Sequence, residues 1–258
     1  GMHTVKPGPN VRYFLDAWSS TNMGRAYAVV SGEGKKIKTI QKDPDPLNDY
    51  KTGETTISTL RADDGSKLYY RMIKPYDFDS TKKYPVFIYV YGGPHAQLVN
   101  NSHLGGANIF LNYLASRGYI VYTLDNRGTA NRGFEFESSI YRRLGELEVA
   151  DQMQGVDYLK SLDYVDTTRI GVHGWSYGGF MTLSMLLEHP ETFKVGCAGG
   201  PVTDWKYYEV MYGERYMDTP ESNPEGYKEA SVLNRASSLD SRLLIIHGTM
   251  DPTVVWQH

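Results

Sequence analysis

The chain begins with short runs of alternating apolar and polar residues and continues with longer apolar runs separated by helix-like segments. Residues 1–50 contain three strand-like runs, VRYFLDAWSS, GRAYAVVSG and KKIKTIQ, which are broken by turns and show no helical period. So few short strands do not make a stable sheet by themselves. We therefore expect them to pack on the next domain or to be the remnant of a larger all-β unit.

From residue 51 onward, strand-like runs alternate with helix-like ones. TTISTLRADDGSKLYYRMIKP predicts a hairpin around Asp64 and Gly65, and YPVFIYVYGGP is typical of a buried parallel strand. IFLNYLASRG predicts a helix ended by Gly118, and YIVYTLDNRG, FKVGCAGGP and RLLIIHG predict further strands. The alternation predicts an α/β domain over residues 51–258, with a mostly parallel sheet covered by helices.

A long helix is predicted over RRLGELEVADQMQGVDYLKSL. Its apolar positions recur at helical spacing and should face the sheet. They are Leu144, Leu147, Val149, Met153, Val156 and Leu159.

Composition excludes several function classes. The chain has 40% hydrophobic and 22% charged residues, and its net charge is −3. Nothing concentrates positive charge, so nucleic-acid binding has no electrostatic support. No run approaches the 18 or so apolar residues that a membrane span needs. One cysteine, Cys197, rules out an intrachain disulfide.

The sequence GWSYGG at 174–179 matches the G-x-S-x-G pattern of a nucleophile elbow. It lies between the strand-like RIGVH and the helix-like FMTLSMLLEH, which is the context that such an elbow requires. A tight turn would present the Ser176 hydroxyl above the sheet, and Gly174 and Gly178 would leave the space it needs. The positive end of the following helix would face the developing oxyanion.

An oxyanion hole needs two hydrogen-bond donors. The first is the backbone N–H of Tyr177, the residue after the nucleophile. The second should come from the loop after VYGGPH, where Tyr91 could donate its phenol hydroxyl. From the residues alone, Tyr91 can equally be an ordinary tyrosine at the end of a strand.

A catalytic acid should follow the serine in a loop after a later strand. RLLIIHGTMD supplies Asp251, whereas Asp125 precedes the serine and Asp204 is better placed to cap a helix. Of the seven histidines, only His258 follows Asp251. We place it in a helix starting near Thr253, about two turns from the acid, which is a poor position for a base.

The remaining histidines carry weaker signals. His247 lies at the end of the strand below the acid loop and should be a hydrogen-bonded packing residue. His173 should belong to the core of a central strand. His95 lies close to the oxyanion loop and could touch a substrate.

Several segments together resemble the dipeptidyl peptidase IV branch of the prolyl oligopeptidase clan of serine peptidases. They occur in that branch's order and cover nearly the whole chain: VYGGPHAQ, DNRGTANRGFEF, YRRLGELEVADQ, GWSYGG, GGPVTDWKYYEVMYGERYM and HGTMDPTVVWQH. The resemblance implies an α/β-hydrolase fold over residues 51–258. It also implies that residues 1–50 correspond to the last strands of the family's β-propeller.

The resemblance further implies release of N-terminal X-Pro or X-Ala dipeptides through an acyl-enzyme on Ser176. Asp251 matches the triad acid and Tyr91 the oxyanion tyrosine. The matching residues of the pocket for the proline ring are Trp205, Tyr208, Tyr212, Val202 and Val254. We expect Trp205, Tyr208 and Tyr212 to share one helix face. A peptide is the expected substrate, with no cofactor and no metal.

Some family features are missing or altered. Thr253 stands where the mammalian enzyme has an asparagine that helps to hold the substrate carbonyl. The glutamate pair that binds the substrate ammonium group belongs to the propeller and has no match here. The triad histidine should lie beyond residue 258, so we expect this chain alone to be inactive.

Two other interpretations share the fold. The chain could be a non-enzymatic binding or structural member, although the intact Ser176 turn favours an enzyme. It could be another hydrolase, an acylaminoacyl peptidase or an esterase, although the tyrosine pair and GWSYGG disfavour this. A sheet without its last strand would expose an apolar edge. We expect neighbouring chains, as in a homodimer, to cover that edge, or the core to tolerate the loss poorly.

Overall fold

The computed structural model describes residues 1–258, which form two β-sheets. The smaller sheet is antiparallel, and its four strands follow one another in chain order. Its strands are β1 Met2–Pro7, β2 Tyr13–Ser20, β3 Met23–Ser31 and β4 Lys36–Lys42. The three strand-like runs predicted before residue 50 are therefore strands, and β1 is a fourth that the pattern did not indicate.

The larger sheet has seven strands in the order β11-β10-β9-β7-β8-β6-β5. β6 runs antiparallel to its neighbours β5 and β8, and the five strands β7, β8, β9, β10 and β11 are parallel to one another. The strands are β5 Thr55–Arg61, β6 Lys67–Ile73, β7 Tyr84–Tyr89, β8 Ile120–Asp125, β9 Val165–Trp175, β10 Val195–Gly199 and β11 Arg242–Ile246. The predicted α/β class with a mostly parallel sheet is confirmed, as is the hairpin around Asp64 and Gly65.

Six α-helices connect and cover the strands of the larger sheet. They are α1 Ile109–Ser116, α2 Phe134–Ser138, α3 Glu146–Lys160, α4 Tyr177–Glu188, α5 Val210–Met217 and α6 Pro224–Ala230. Among these helices, none has the length and apolarity needed to cross a bilayer.

The long predicted helix begins later than expected, and it buries polar residues beside three of the predicted apolar ones, Val149, Val156 and Leu159. α3 starts at Glu146, because Gly145 before it adopts φ +93°, a left-handed conformation that favours glycine. Leu144 is buried but precedes the helix, and Leu147 is only half-buried. The buried face instead combines apolar side chains with three polar ones, Glu148, Asp151 and Gln152. The apolar period alone therefore did not identify all the side chains that α3 buries.

The centre of the molecule is the contact between α4 and the neighbouring strands β9 and β10. Every residue of α4 from Tyr177 to Leu187 is buried, so the helix is surrounded on all sides. At about 25 cal/mol for each Å² of apolar surface, such a helix contributes strongly to stability. The turn that enters it is consequently anchored in the densest part of the core.

The small sheet packs against the segment that links β7 to α1. Thr21 donates its backbone N–H and its hydroxyl to Asn101 Oδ1 at 3.2 and 3.1 Å. Leu104 donates its N–H to the Thr21 carbonyl at 3.2 Å. The first strands therefore contact the α/β domain, while their origin in a propeller and the boundary at residue 50 stay predictions.

The larger sheet has β5 at one edge and β11 at the other, and the β11 edge is apolar. Leu244, Ile245 and Ile246 are 55%, 53% and 44% exposed. This agrees with the expected exposed edge. Association of copies at that edge stays a prediction.

Candidate active site

Ser176 occupies the turn between β9, which ends at Trp175, and α4, which begins at Tyr177. Its backbone has φ +59° and ψ −117°, a conformation that costs energy in a residue with a side chain. The Ser176 N–H donates to the Gly199 carbonyl at 2.8 Å, and its own carbonyl accepts from Phe180 N–H at 3.1 Å. This is the strained strand-to-helix turn of a nucleophile elbow.

Two glycines around the serine let three backbone segments, at Gly174, Gly178 and Val90, approach one another. A methyl group on Gly174 would lie 2.3 Å from the Gly178 carbonyl oxygen and 2.4 Å from that of Val90. A methyl group on Gly178 would lie 2.3 Å from the same Val90 oxygen. These contacts are impossible for real carbon atoms, so both positions require glycine for the reason expected from the motif.

The two tyrosines expected to supply the oxyanion donors have neighbouring rings. Tyr177 is the first residue of α4, where backbone N–H groups have no partner within the helix. Its ring centroid lies 6.0 Å from that of Tyr91, and a methyl group on Gly93 would lie 2.8 and 2.9 Å from the two rings. Burial raises the pKa of the Tyr91 phenol, so the hydroxyl keeps its proton at neutral pH and can donate it to a hydrogen bond.

Asp251 lies on the loop that follows β11, next to the elbow. A methyl group on Gly200 would lie 3.6 Å from Asp251 Oδ2 and 3.4 Å from Trp175 Nε1. Asp251 Oδ1 accepts from the N–H groups of Thr253 and Val254 at 2.9 and 3.0 Å. These two bonds lower the pKa of Asp251, and the bond from Thr253 has the larger effect. The carboxylate is therefore ionised at neutral pH.

An aromatic cluster lies beside the elbow. The Trp205 ring centroid is 5.3 Å from Tyr177, 5.4 Å from Tyr208 and 5.9 Å from Tyr212. Val202 and Val254 are 1% and 2% exposed and belong to the same core cluster. The five residues predicted for the proline pocket, Trp205, Tyr208, Tyr212, Val202 and Val254, are therefore part of one cluster.

The reason expected for the tyrosine pair is wrong, however. Trp205 lies in a short 3₁₀ turn, Tyr208 is extended at ψ 160°, and α5 begins only at Val210. The Glu209 carboxylate caps α5 by accepting from Met211 N–H at 2.9 Å. Tyr208 and Tyr212 therefore meet, with centroids 5.3 Å apart, across a cap rather than along one helix face.

The histidines have partners other than the serine and the acid. His247 Nε2 donates to the Val254 carbonyl at 2.7 Å, and His173 Nδ1 donates to the Cys197 carbonyl at 2.8 Å. His95 Nδ1 is bonded to Glu137 Oε2 at 2.8 Å.

His258 does not lie in the helix expected from Thr253. Residues 252–258 form bends and a turn, and the Asp251 carboxylate accepts from the N–H groups of Thr253 and Val254 within them. His258 Nδ1 accepts from Thr203 N–H at 3.3 Å, and its ring lies 6.1 Å from that of Tyr208. Burial lowers the pKa of His258. No hydrogen bond joins His258 to Ser176 or Asp251.

A model of the prolyl oligopeptidase family matches residues 108–258, which is more than half of the chain. The chain belongs to the prolyl oligopeptidase family. A probable dipeptidyl-aminopeptidase B of Arthroderma gypseum is 48% identical over 256 residues, which are 97% of this chain and 26% of that protein. Dipeptidyl peptidase 8 of Mus musculus is 42% identical over 224 residues, 85% of this chain and 25% of that protein.

Two solved structures superpose on the whole chain. A crystal structure from Bacteroides ovatus, described there as a dipeptidyl aminopeptidase IV, gives a TM-score of 0.98 at 50% identity. Dipeptidyl peptidase 4 of Porphyromonas gingivalis gives 0.94 at 36% identity. This chain covers 37% of each solved chain and about a quarter of each curated relative. The segment shared with these prolyl oligopeptidase relatives includes Ser176 and Asp251.

A buried polar network behind the elbow was missed by the sequence analysis. Arg127, 7% exposed at its side chain, donates to the fully buried Asp151 at 2.6 Å and to Asp63 at 2.8 Å. Glu148, also fully buried, accepts from the Tyr177 hydroxyl at 2.6 Å. The available signal was Glu148 and Asp151 three residues apart on a helix, which places them on one face. A charged pair of that kind is most often solvated, so the signal was weak.

Proposed function

We propose that this chain carries the nucleophile, the acid and the specificity pocket of a serine exopeptidase that releases N-terminal dipeptides. The observation that carries the proposal is Ser176, held at φ +59° between β9 and α4 beside a cluster of aromatic side chains. Membership of the prolyl oligopeptidase family and relatives named as dipeptidyl peptidases support it.

In the proposed reaction, Ser176 Oγ attacks the carbonyl carbon of the second substrate residue. A histidine accepts the hydroxyl proton and passes it to the leaving amine as the amide C–N bond breaks. Asp251 holds that histidine in the correct tautomer and stabilises its cation. The Tyr177 N–H and the Tyr91 hydroxyl donate to the oxyanion, and water then hydrolyses the acyl-enzyme by the same steps.

The pocket accounts for the proposed preference for proline or alanine at the second position. In the proposal, Trp205, Tyr208 and Tyr212 supply its aromatic rings, and Val202 and Val254, which belong to the same cluster, supply apolar side chains. A proline ring has no N–H to leave unpaired in such surroundings, whereas a charged or amide side chain would lose its hydration there. Alanine fits with less buried area.

The proposal assigns the base to a histidine outside residues 1–258. His247 and His258 bond to backbone groups of Val254 and Thr203 rather than to the acid or the serine. Loss of the histidine from a serine protease triad lowers kcat about 10⁶-fold. The 258-residue chain by itself should therefore be nearly inactive, with Ser176 poised but without its base.

The test compares the 258-residue chain with the full-length protein on Gly-Pro p-nitroanilide. We expect hydrolysis by the full-length protein, loss of that hydrolysis in its Ser176→Ala variant, and almost none by the short chain. A fluorophosphonate should label Ser176 in the full-length protein. Absence of both hydrolysis and labelling would contradict the peptidase assignment, and full activity of the short chain would contradict the external histidine.

A further inference from the structure

Glu148 is a carboxylate enclosed in the core directly behind the nucleophile turn. Its side chain is 0% exposed and lies in the first turn of α3. Its Oε1 accepts from the Tyr177 hydroxyl at 2.6 Å, and its Oε2 accepts from the Gly145 N–H at 3.0 Å. Both oxygens are therefore committed, one to the start of its own helix and one to the residue after Ser176.

This burial has no explanation in helix capping alone. A glutamate that caps a helix start works equally well at the surface, where its charge remains hydrated. Enclosing a carboxylate costs several kcal/mol even when it has partners. A role specific to Tyr177 explains why the carboxylate is aimed inward.

Tyr177 joins the elements that the proposed reaction depends on. Its backbone N–H is at the free start of α4, and its ring is 6.0 Å from Tyr91 and 5.3 Å from Trp205. Phe180 packs edge-on against it at 5.4 Å. A displacement of the Tyr177 ring would therefore press on Tyr91, which carries one expected oxyanion donor, and on Trp205, and it would strain the Tyr177 backbone, which carries the other donor.

We infer that Glu148 is a positioning residue of the peptidase site, which holds both oxyanion donors in register by anchoring the Tyr177 hydroxyl. The inference rests on the proposed function, because it assigns a task within that reaction. Glu148 transfers no proton in this role. It fixes the side chain of the residue whose backbone N–H would face the tetrahedral intermediate.

Other charged and titratable groups around Glu148 are compatible with this role. Tyr177 on α4 and Tyr212 on α5 are neutral donors at pH 7, since burial raises the pKa of both. Asp151 lies one turn along α3, and the charge of its carboxylate is balanced by the ion pair with Arg127. Burial, opposed by the bond from Tyr177, raises the pKa of Glu148 itself to about 7. The Tyr177 hydroxyl can stay bonded in either state, because a neutral carboxyl also retains an accepting oxygen.

The test uses the full-length protein and two substitutions, Glu148→Gln and Tyr177→Phe, separately and together. Glutamine keeps the shape but offers one acceptor to two donors. We expect each single variant to lower kcat for Gly-Pro p-nitroanilide about 10- to 100-fold, with KM changed less than about threefold. The double variant should be no worse than the more damaged single one, because both remove the same bond.

Two inhibitors distinguish positioning of the oxyanion donors from a purely structural role of Glu148. A prolyl boronic acid becomes a tetrahedral anion on Ser176 and needs the oxyanion donors, whereas glycyl-pyrrolidide has the same ring but no carbonyl at the reacting position to meet those donors. Each variant should bind the boronate about tenfold or more weakly and glycyl-pyrrolidide almost unchanged. Glu146→Gln is the matched control, because Glu146 lies on the same helix turn with its side chain 64% exposed.

Equal loss of both inhibitors, or a kcat that stays unchanged in both single variants, would overturn the inference while the peptidase assignment stands. A wild-type protein with no hydrolysis and no boronate binding would overturn the proposed function and this inference together. If Glu148→Gln fails to fold, Tyr177→Phe decides, since it removes the bond and leaves the carboxylate in place.

Discussion

The nucleophile and the acid of the proposed site come from regions that differ sharply in burial. Ser176 begins a helix that is buried from Tyr177 to Leu187, with a network of enclosed charges behind it. Asp251 follows β11, whose Leu244, Ile245 and Ile246 are about half exposed. Its carboxylate is held by N–H groups two and three residues away in the same loop.

The difference shows that the two halves of the site are positioned by different means. The core imposes the geometry of the serine turn, so that damage there should lower stability and activity together. Local bonds shape the acid loop, so that changes there should spare stability and act on catalysis alone. Substitutions matched across the two regions can test this separation.

The largest loss of stability should come from Arg127→Met on the nucleophile side. It would leave the fully buried Asp151 without its partner, which costs about 3–5 kcal/mol in free energy of unfolding. Arg143→Met is the control, because its ion pair with Glu146 is long, at 3.6 Å, and half exposed. The control should lose at most about 1 kcal/mol. If urea unfolding showed similar losses of free energy of unfolding for both variants, the buried network would be no more stabilising than an exposed ion pair.

The next largest effect should be a pH dependence of stability caused by Glu148. Burial raises its pKa to about 7 in the folded state, against an ordinary value of 4.5. Between these values the folded protein holds the proton that the unfolded chain has lost. Stability should therefore fall by about 3 kcal/mol as pH rises from 4.5 to 7, and stay level above.

Glu148→Gln should remove that slope. The comparison must be made as a difference between wild type and variant, because burial also raises the pKa of Asp125, to about 6, and adds a slope of the same sign to both proteins. Asp251 on the acid side has a lowered pKa and would act in the opposite direction, with stability lost as pH falls. If the free energy of unfolding changed with pH in the same way for wild type and Glu148→Gln between pH 4.5 and 7, the raised pKa of Glu148 would be contradicted.

Two glycines allow the same comparison at the level of the backbone. Gly178→Ala would drive a methyl group to 2.3 Å from the Val90 carbonyl oxygen, which should cost about 1–3 kcal/mol and more than 10²-fold in kcat. Gly248→Ala, in the acid loop, meets nothing closer than 3.9 Å. It should leave both quantities nearly unchanged. A Gly178→Ala variant with normal hydrolysis would show that the elbow tolerates displacement.

The smallest effect should come from the exposed edge. Ile245→Thr on β11 should change the free energy of unfolding of the 258-residue chain by less than about 0.5 kcal/mol. Ile170→Thr on β9, at 0% exposure, should cost several times more. Equal losses measured by urea unfolding would mean that β11 is as well packed as the sheet centre.

The sequence predicted most of the fold because its signals are local. The strand, glycine turn and helix around Ser176 could be read from neighbouring residues, as could the hairpin at Asp64 and Gly65. The start of α3 was misplaced because its apolar period continued back through Leu144, past the left-handed Gly145.

Long-range partners were harder to foresee. Nothing near Glu148 in the chain shows that its carboxylate meets Tyr177, twenty-nine residues away. The residues after Asp251 form bends and a turn, although a carboxylate that accepts from N–H groups two and three residues on is a common start signal for a helix. Tyr208 and Tyr212 were grouped correctly, but the cap at Glu209 that brings them together was not anticipated.

The proposed release of dipeptides from peptide N-termini by Ser176 can be tested by analysis of the products. The full-length protein should be incubated with a peptide beginning Gly-Pro, and the products identified by mass spectrometry. We predict free Gly-Pro and a peptide shortened by two residues, with neither formed by the Ser176→Ala variant. Cleavage at any other bond, or the same products from Ser176→Ala, would contradict the account.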